Sequence, residues 1–123
     1  MKESYKAEIV KSNKVLTARE KIMLKDTTNA ISMDSKTTES AFIIKPVTWA
    51  IVHVTNEMSE SGEYDKIVIL DDKNDKYTTG SRSFIEAFSD IADEMDKEEF
   101  CIMIYRKDSK KYTGKSFITC SLV

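Results

Sequence analysis

Between residues 81 and 95 the spacing of apolar residues changes step, and that change sets the class of fold. Phe84, Phe88, Ile91 and Met95 recur four, three and four residues apart, and Ile85, Ala87 and Ala92 widen the stripe. This is the period of one buried helix face. Ser81 or Ser83 can cap its start, and Asp90, Asp93 and Glu94 fall on the opposite side. On both sides of this segment the pattern is that of strands. Residues 5–10 alternate Tyr5, Ala7 and Ile9 with Lys6 and Glu8, and residues 41–44 and 47–55 are β-branched and aromatic runs. Pro46 between those two runs removes a ladder donor and predicts a bend or an edge. Residues 56–63 read as a polar loop, 64–70 as a strand, 71–75 as a turn and 76–79 as the returning strand. Residues 100–106 and 116–122 read as a closing pair of strands joined by a polar loop over 107–115. Ahead of all this, Thr17-Ala-Arg-Glu20 has capping-box form and predicts a short helix over 18–25.

The predicted order is β, short α, three β, α, two β: a mainly β chain with one main helix, of the α+β class. It matches a five-stranded Greek-key OB barrel, whose helix falls between strands three and four. A chain of 123 residues fits one such domain over 1–123, with 1–35 as an N-terminal extension packed on the barrel.

Several function classes drop out. No apolar run approaches the 18 residues a membrane span needs, and Met1-Lys2-Glu3 opens no secretory signal. Cys101 and Cys120 lack metal-ligand spacing and predict free thiols in a reducing cytoplasm. There is no GxGxxG, P-loop, HExxH, CxxC or GxSxG, and the lone His53 sits inside an apolar strand. Asp71, Asp72 and Asp75 lack the ligand pattern of a calcium loop and predict a solvated turn. Neither an enzyme nor a metal or other cofactor is expected.

The net charge of -2 hides a division along the chain. Residues 1–25 hold seven Lys or Arg against three Glu, and residues 101–123 hold five against Asp108 alone; residues 26–100 are strongly acidic. Phosphate responds to the local field, because charges are screened over about 8 Å at physiological salt. The most informative stretch is Arg106-Lys107-Asp108-Ser109-Lys110-Lys111-Tyr112-Thr113-Gly114-Lys115, five cations and a ring on a hairpin. Cations neutralise a flexible phosphate backbone while a ring stacks on a base of any kind, so this combination suits single-stranded nucleic acid. The bland reading is a basic hairpin tip that deters edge pairing. Cys101, Met103 and Tyr105 form a second face of their strand, unusually apolar for water, and Trp49 is either core or stacking platform. Tyr5 with Lys2 and Lys6 would extend a basic track or cover the barrel.

The stretches Tyr64-Asp-Lys-Ile-Val-Ile-Leu-Asp-Asp72 and Lys76-Tyr-Thr-Thr-Gly-Ser81, the helix with Phe84, Phe88 and Ile91, and the hairpin from Phe100 through Tyr105 and Ser109 to Phe117 have a familiar order. Here the chain resembles the short single-stranded-DNA-binding proteins of tailed phages of Gram-positive bacteria. The resemblance covers about half the chain and rests on pattern and element order. It implies an OB fold that coats single-stranded DNA in phage replication or recombination, in the host cytoplasm, with little sequence preference. Its binding face would use Lys66, Lys76, Tyr77, Arg82, Tyr105, Arg106, Lys107, Lys110, Lys111, Tyr112 and Lys115; Trp49 stays open between core and further stacking ring. A homodimer is expected, and a phage recombinase or replication protein as partner. The sequence ends at Cys120-Ser-Leu-Val123 in strand-like residues, so recruitment through a flexible acidic tail is not expected. The rival reading is a protein-interaction module, an inhibitor or adaptor of a host protein, using the acidic region 57–99.

Overall fold

The structure, a computed structural model, describes residues 5–56 and 62–123. Lys2, most of the predicted loop at 56–63, and the first residues of the acidic region lie outside the described residues, in part or in full. Eight strands and three helices follow in the order β1 (Tyr5–Ser12), α1 (Ala18–Lys25), β2 (Ile31–Ser32), α2 (Met33–Lys36), β3 (Phe42–Ile44), β4 (Pro46–Asn56), β5 (Glu63–Asp71), β6 (Lys76–Thr79), α3 (Arg82–Met95), β7 (Ile102–Asp108) and β8 (Ser116–Leu122). The protein is mainly β and of the α+β class, with its main helix between β6 and β7. No described helix is long and apolar enough to cross a membrane.

The strands do not form the single five-stranded barrel ladder expected from the sequence. They pair as two open sheets, β1-β4-β5-β6-β2 and β3-β7-β8. Two features account for this. Only Lys45 separates β3 from β4, and the register of β4 shifts between Pro46 and Thr48 as the chain passes from one sheet to the other. Pro46, which has no N–H to give, sits at that transfer. The outer edge of β6 is taken by β2 in parallel pairing, Ile31 beside Tyr77 and Ser32 beside Thr78. Residues 31–36 thus lie where a closing strand would pair, and the sequence offered no periodicity there.

Helix α3 closes the space between the sheets. Ser81 caps it, its Oγ accepting from the Phe84 N–H at 3.4 Å. Phe84, Phe88 and Ala92 are buried against Trp49, Ile67, Ile69, Ile102, Ile104 and Ile118. The Trp49 indole meets Phe88 edge-on with centroids 5.2 Å apart, so Trp49 is core and no platform for a base. Ser83 donates to the Ile118 carbonyl at 2.7 Å and ties the helix to β8.

A second apolar layer lies on the other side of β4 and β5. Ala50, Val52, Val54, Val68 and Leu70 are covered by Leu16 and Leu24 from the N-terminal segment. Both faces of these strands are therefore buried, which explains why Ala50-Ile-Val52 and Ile67-Val-Ile-Leu70 run apolar without a polar alternation. Helix α1 is held by the predicted capping box: Thr17 Oγ1 accepts from the Glu20 N–H at 3.2 Å, and Glu20 Oε1 from the Thr17 N–H at 3.0 Å.

Candidate nucleic-acid interface

The β7–β8 hairpin pairs without interruption from Ile102 beside Leu122 to Asp108 beside Ser116. Beyond it the Ser109 N–H donates to the Lys115 carbonyl at 2.9 Å, and Ser109 Oγ accepts from the N–H groups of Lys111 and Tyr112 at 3.3 and 3.2 Å. Gly114 takes a positive φ of 79°, which a glycine adopts without a Cβ penalty. The tip is therefore a folded turn on a regular ladder. It is shorter than predicted, because Lys107 and Asp108 belong to β7.

The end of β7 and this turn carry Lys107, Lys110, Lys111, Tyr112 and Lys115, all exposed, with Tyr112 at 60%. Lys111 Nζ lies 5.7 Å from the centre of the Tyr112 ring, a cation–π contact that sets a charge beside a stacking surface. Among the described residues, none of these four lysines takes part in an ion pair. Their charge remains available to a polyanion.

The other residues predicted for the site are placed elsewhere. Lys66 is only 8% exposed, and its Nζ donates to Thr27 Oγ1 at 3.1 Å beneath the N-terminal layer. Lys76 Nζ donates to the carbonyls of Met23 and Asp26 at 2.6 and 2.7 Å, closing the C-terminal end of α1 where a cation meets the helix dipole favourably. Tyr77 is buried and stacks on Phe42 at 5.6 Å; burial, with Asp71 and Asp75 nearby, pushes its hydroxyl pKa above the ordinary value. Arg106 follows the inward parity of Ile102 and Ile104. Its Nη1 donates to Ser116 Oγ at 3.2 Å and its Nη2 to the Asp34 carbonyl at 2.8 Å, while Nε is buried without a partner. Arg82 is exposed but distant in the chain from the tip, and pairs with Glu86 at 3.7 Å. Tyr105 lies half-buried on the outer face of β7, its hydroxyl 2.8 Å from Ser121 Oγ.

No protein family, characterised protein or solved structure matches this chain. What the surface can do follows from its own chemistry.

His53 and Asp71 each centre a further titratable cluster. His53 sits between Asp65, 2.7 Å from its Nδ1, and Glu63, 3.5 Å from its Nε2, in a cleft that also holds Tyr64, Arg82 and Glu86. The hydrogen bond to Asp65, then that to Glu63, raises the His53 pKa. Among the described residues lining this cleft none is a Ser, Thr or Cys, and the hydroxyl there is the phenol of Tyr64. In the turn after β5, Asp71 Oδ1 accepts from the N–H groups of Lys73 and Asp75 at 3.0 and 2.8 Å, and Asn74 takes a φ of 68°. That carboxylate is engaged by the turn. Among the described residues no group of three His, Cys, Asp or Glu is placed to hold a metal. Cys101 and Cys120 are free thiols, the latter pushed up to about 12 by burial.

The residues that sequence reasoning left unassigned are Phe117, Met103 and Ile43, partly exposed on the outer face of β3-β7-β8. The apolar parity of Cys101, Met103 and Tyr105 was the signal that pointed there.

Proposed function

We propose that this chain binds single-stranded DNA with little sequence preference, coating strands exposed in phage replication or recombination. The observation that carries the reading is the folded tip of β7–β8, which carries four exposed lysines without ion pairs among the described residues and the exposed ring of Tyr112, with Lys111 against that ring. Unpaired polynucleotide asks for cations along a backbone and a flat surface for whichever base arrives. A duplex keeps its bases stacked on one another and offers that ring nothing.

The topology supports an OB reading. The bent β3–β4 segment feeds both sheets, β4-β5-β6 form a meander, α3 follows it, and β7 returns to pair with β3. Residues 31–36 pair with the free edge of β6 and meet Arg106 of β7 at the Asp34 carbonyl, where a closed barrel would pair strand to strand. On this reading 1–123 is one OB domain, 1–35 its extension, and β7–β8 the loop beside the binding face. Two linked faces in a homodimer would raise avidity. The exposed acids on the outer side of α3, Asp90, Asp93 and Glu94, would receive a basic replication or recombination partner. The same acids favour the second reading, an adaptor or inhibitor of a host protein.

Fluorescence anisotropy with a labelled polythymidine oligonucleotide and duplex competitor separates the two. The DNA reading predicts tighter binding to single strands than to duplex. Replacing Lys110 and Lys111 together with Ala should flatten the dependence of log K on log salt by about 1–2 units. An unchanged slope removes the tip from the site, and indifference to DNA leaves the adaptor reading.

A further inference from the structure

A sheet face turned to water usually carries polar side chains at its outward positions. The outer face of β3-β7-β8 sets apolar side chains at several of them. Its outward positions are Ile43 on β3, Met103, Tyr105 and Lys107 on β7, and Phe117, Thr119 and Ser121 on β8. The ladder sets Ile43 beside Met103, Met103 beside Ser121, Tyr105 beside Thr119, and Lys107 beside Phe117. Ile43 is 58% exposed, and Met103 and Phe117 36% each. Lys107 is the one charge among these positions. Side chains directly opposite in an antiparallel pair stand about 5 Å apart at Cβ. Lys107 and Phe117 are therefore direct cross-strand neighbours, and Tyr105, one pair further along the ladder, reaches with its hydroxyl to Ser121 on the diagonal away from Phe117. The strip begins at the lysine tip and leads away from it.

The outer face of the other sheet is filled. Leu16 and Leu24 lie on Val52, Val54, Val68 and Leu70, and Lys66 and Lys76 donate to Thr27, Met23 and Asp26 of the covering segment. A polynucleotide following the lysine tip finds its apolar surface on β3-β7-β8.

Resting on the single-strand reading above, we propose that the DNA strand continues from the tip across the outer face of β3-β7-β8, with bases stacked on Phe117 and Tyr105. A polyanion suits this face better than a second copy of the chain. Isologous pairing would bring Lys107 and its neighbouring lysines from both copies toward one interface, whereas phosphates neutralise them.

The test is anisotropy with labelled polythymidine on wild type, Phe117→Ala, Phe117→Trp and Thr119→Glu, with melting curves and sedimentation of each. Phe117→Ala should weaken binding about 5- to 150-fold, the loss of one stacked base. Phe117→Trp should hold affinity, and Thr119→Glu should lower it by placing an acid in the path. Photocrosslinking of wild type to bromodeoxyuridine-substituted oligonucleotide needs no variant to fold; it should label the tryptic peptides 98–106 and 116–123. If the Lys110 and Lys111 variant loses affinity while Phe117→Ala and Thr119→Glu do not, or if adducts are confined to 112–115, the path is wrong and the tip site stands. If Phe117→Ala changes the sedimenting mass and leaves affinity intact, the face belongs to a second copy and the path is overturned. If wild type binds no oligonucleotide, the single-strand reading itself falls.

Discussion

Tyr112 combines a flat ring, 60% exposure and a neighbouring ammonium 5.7 Å from its centre. Neither apolar core cluster includes it. Tyr112→Ala should therefore weaken single-strand binding by about 1–3 kcal/mol and leave the melting temperature unchanged; equal affinity for both proteins would return the ring to surface decoration. His53 makes a different prediction, one about stability. Its carboxylate partners Asp65 and Glu63 raise its pKa in the folded state. A raised value means that folding favours the proton: the stabilisation is full below the unfolded value of about 6.5 and is lost as pH rises through the folded value. Denaturant unfolding of wild type and His53→Gln should then differ more at pH 6 than at pH 9. A gap that widens toward pH 9 would contradict the assignment of these partners.

At the scale of elements, α3 is the piece that the two sheets share. Phe88 touches Trp49, Phe84 and Phe100 with centroids 5.2 to 6.1 Å apart. Phe88→Ala should cost about 3–5 kcal/mol in urea unfolding, because neither sheet can move to refill the space without breaking the other contact; a cost under about 1 kcal/mol would show that the site collapses. This helix, the hairpin β7–β8 and the capping box of α1 were legible in the sequence, because each announces itself through local spacing. Residues 31–36 were not: two strand residues and one helical turn are too short to carry a period. Lys66 and Tyr77 were misread for another reason. Alternation tells which side chains of β5 and β6 share a face, and it is silent on what covers that face. Lys66 shares its side with Val68 and Leu70; Leu24 of α1 packs with the latter two, and Thr27, just after α1, takes the Lys66 ammonium. Trp49 illustrates the same limit from the inside, since its run is apolar on both parities and only the packing assigns it to Phe88.

Across the whole molecule, charge and apolar surface are sorted. Acids of the middle of the chain include Glu86, Asp90, Asp93 and Glu94 on α3 and Asp72 and Asp75 in the turn after β5, while the four tip lysines stand at the end of β7–β8 with no ion pairs among the described residues. An overall charge of -2 is then compatible with holding a polyanion, because contact depends on the field within a screening length of the tip. Each single-strand phosphate contact releases counterions, contributing about -0.7 to the slope of log K against log salt. Four lysines predict a slope of about -3 for wild-type protein and polythymidine. The most direct measurement is that titration, begun in dilute buffer. A slope near -3, with affinity for the single strand above that for duplex, is the result expected. A slope near zero, or no binding at the lowest salt, would contradict the claim that this lysine-bearing tip holds unpaired DNA.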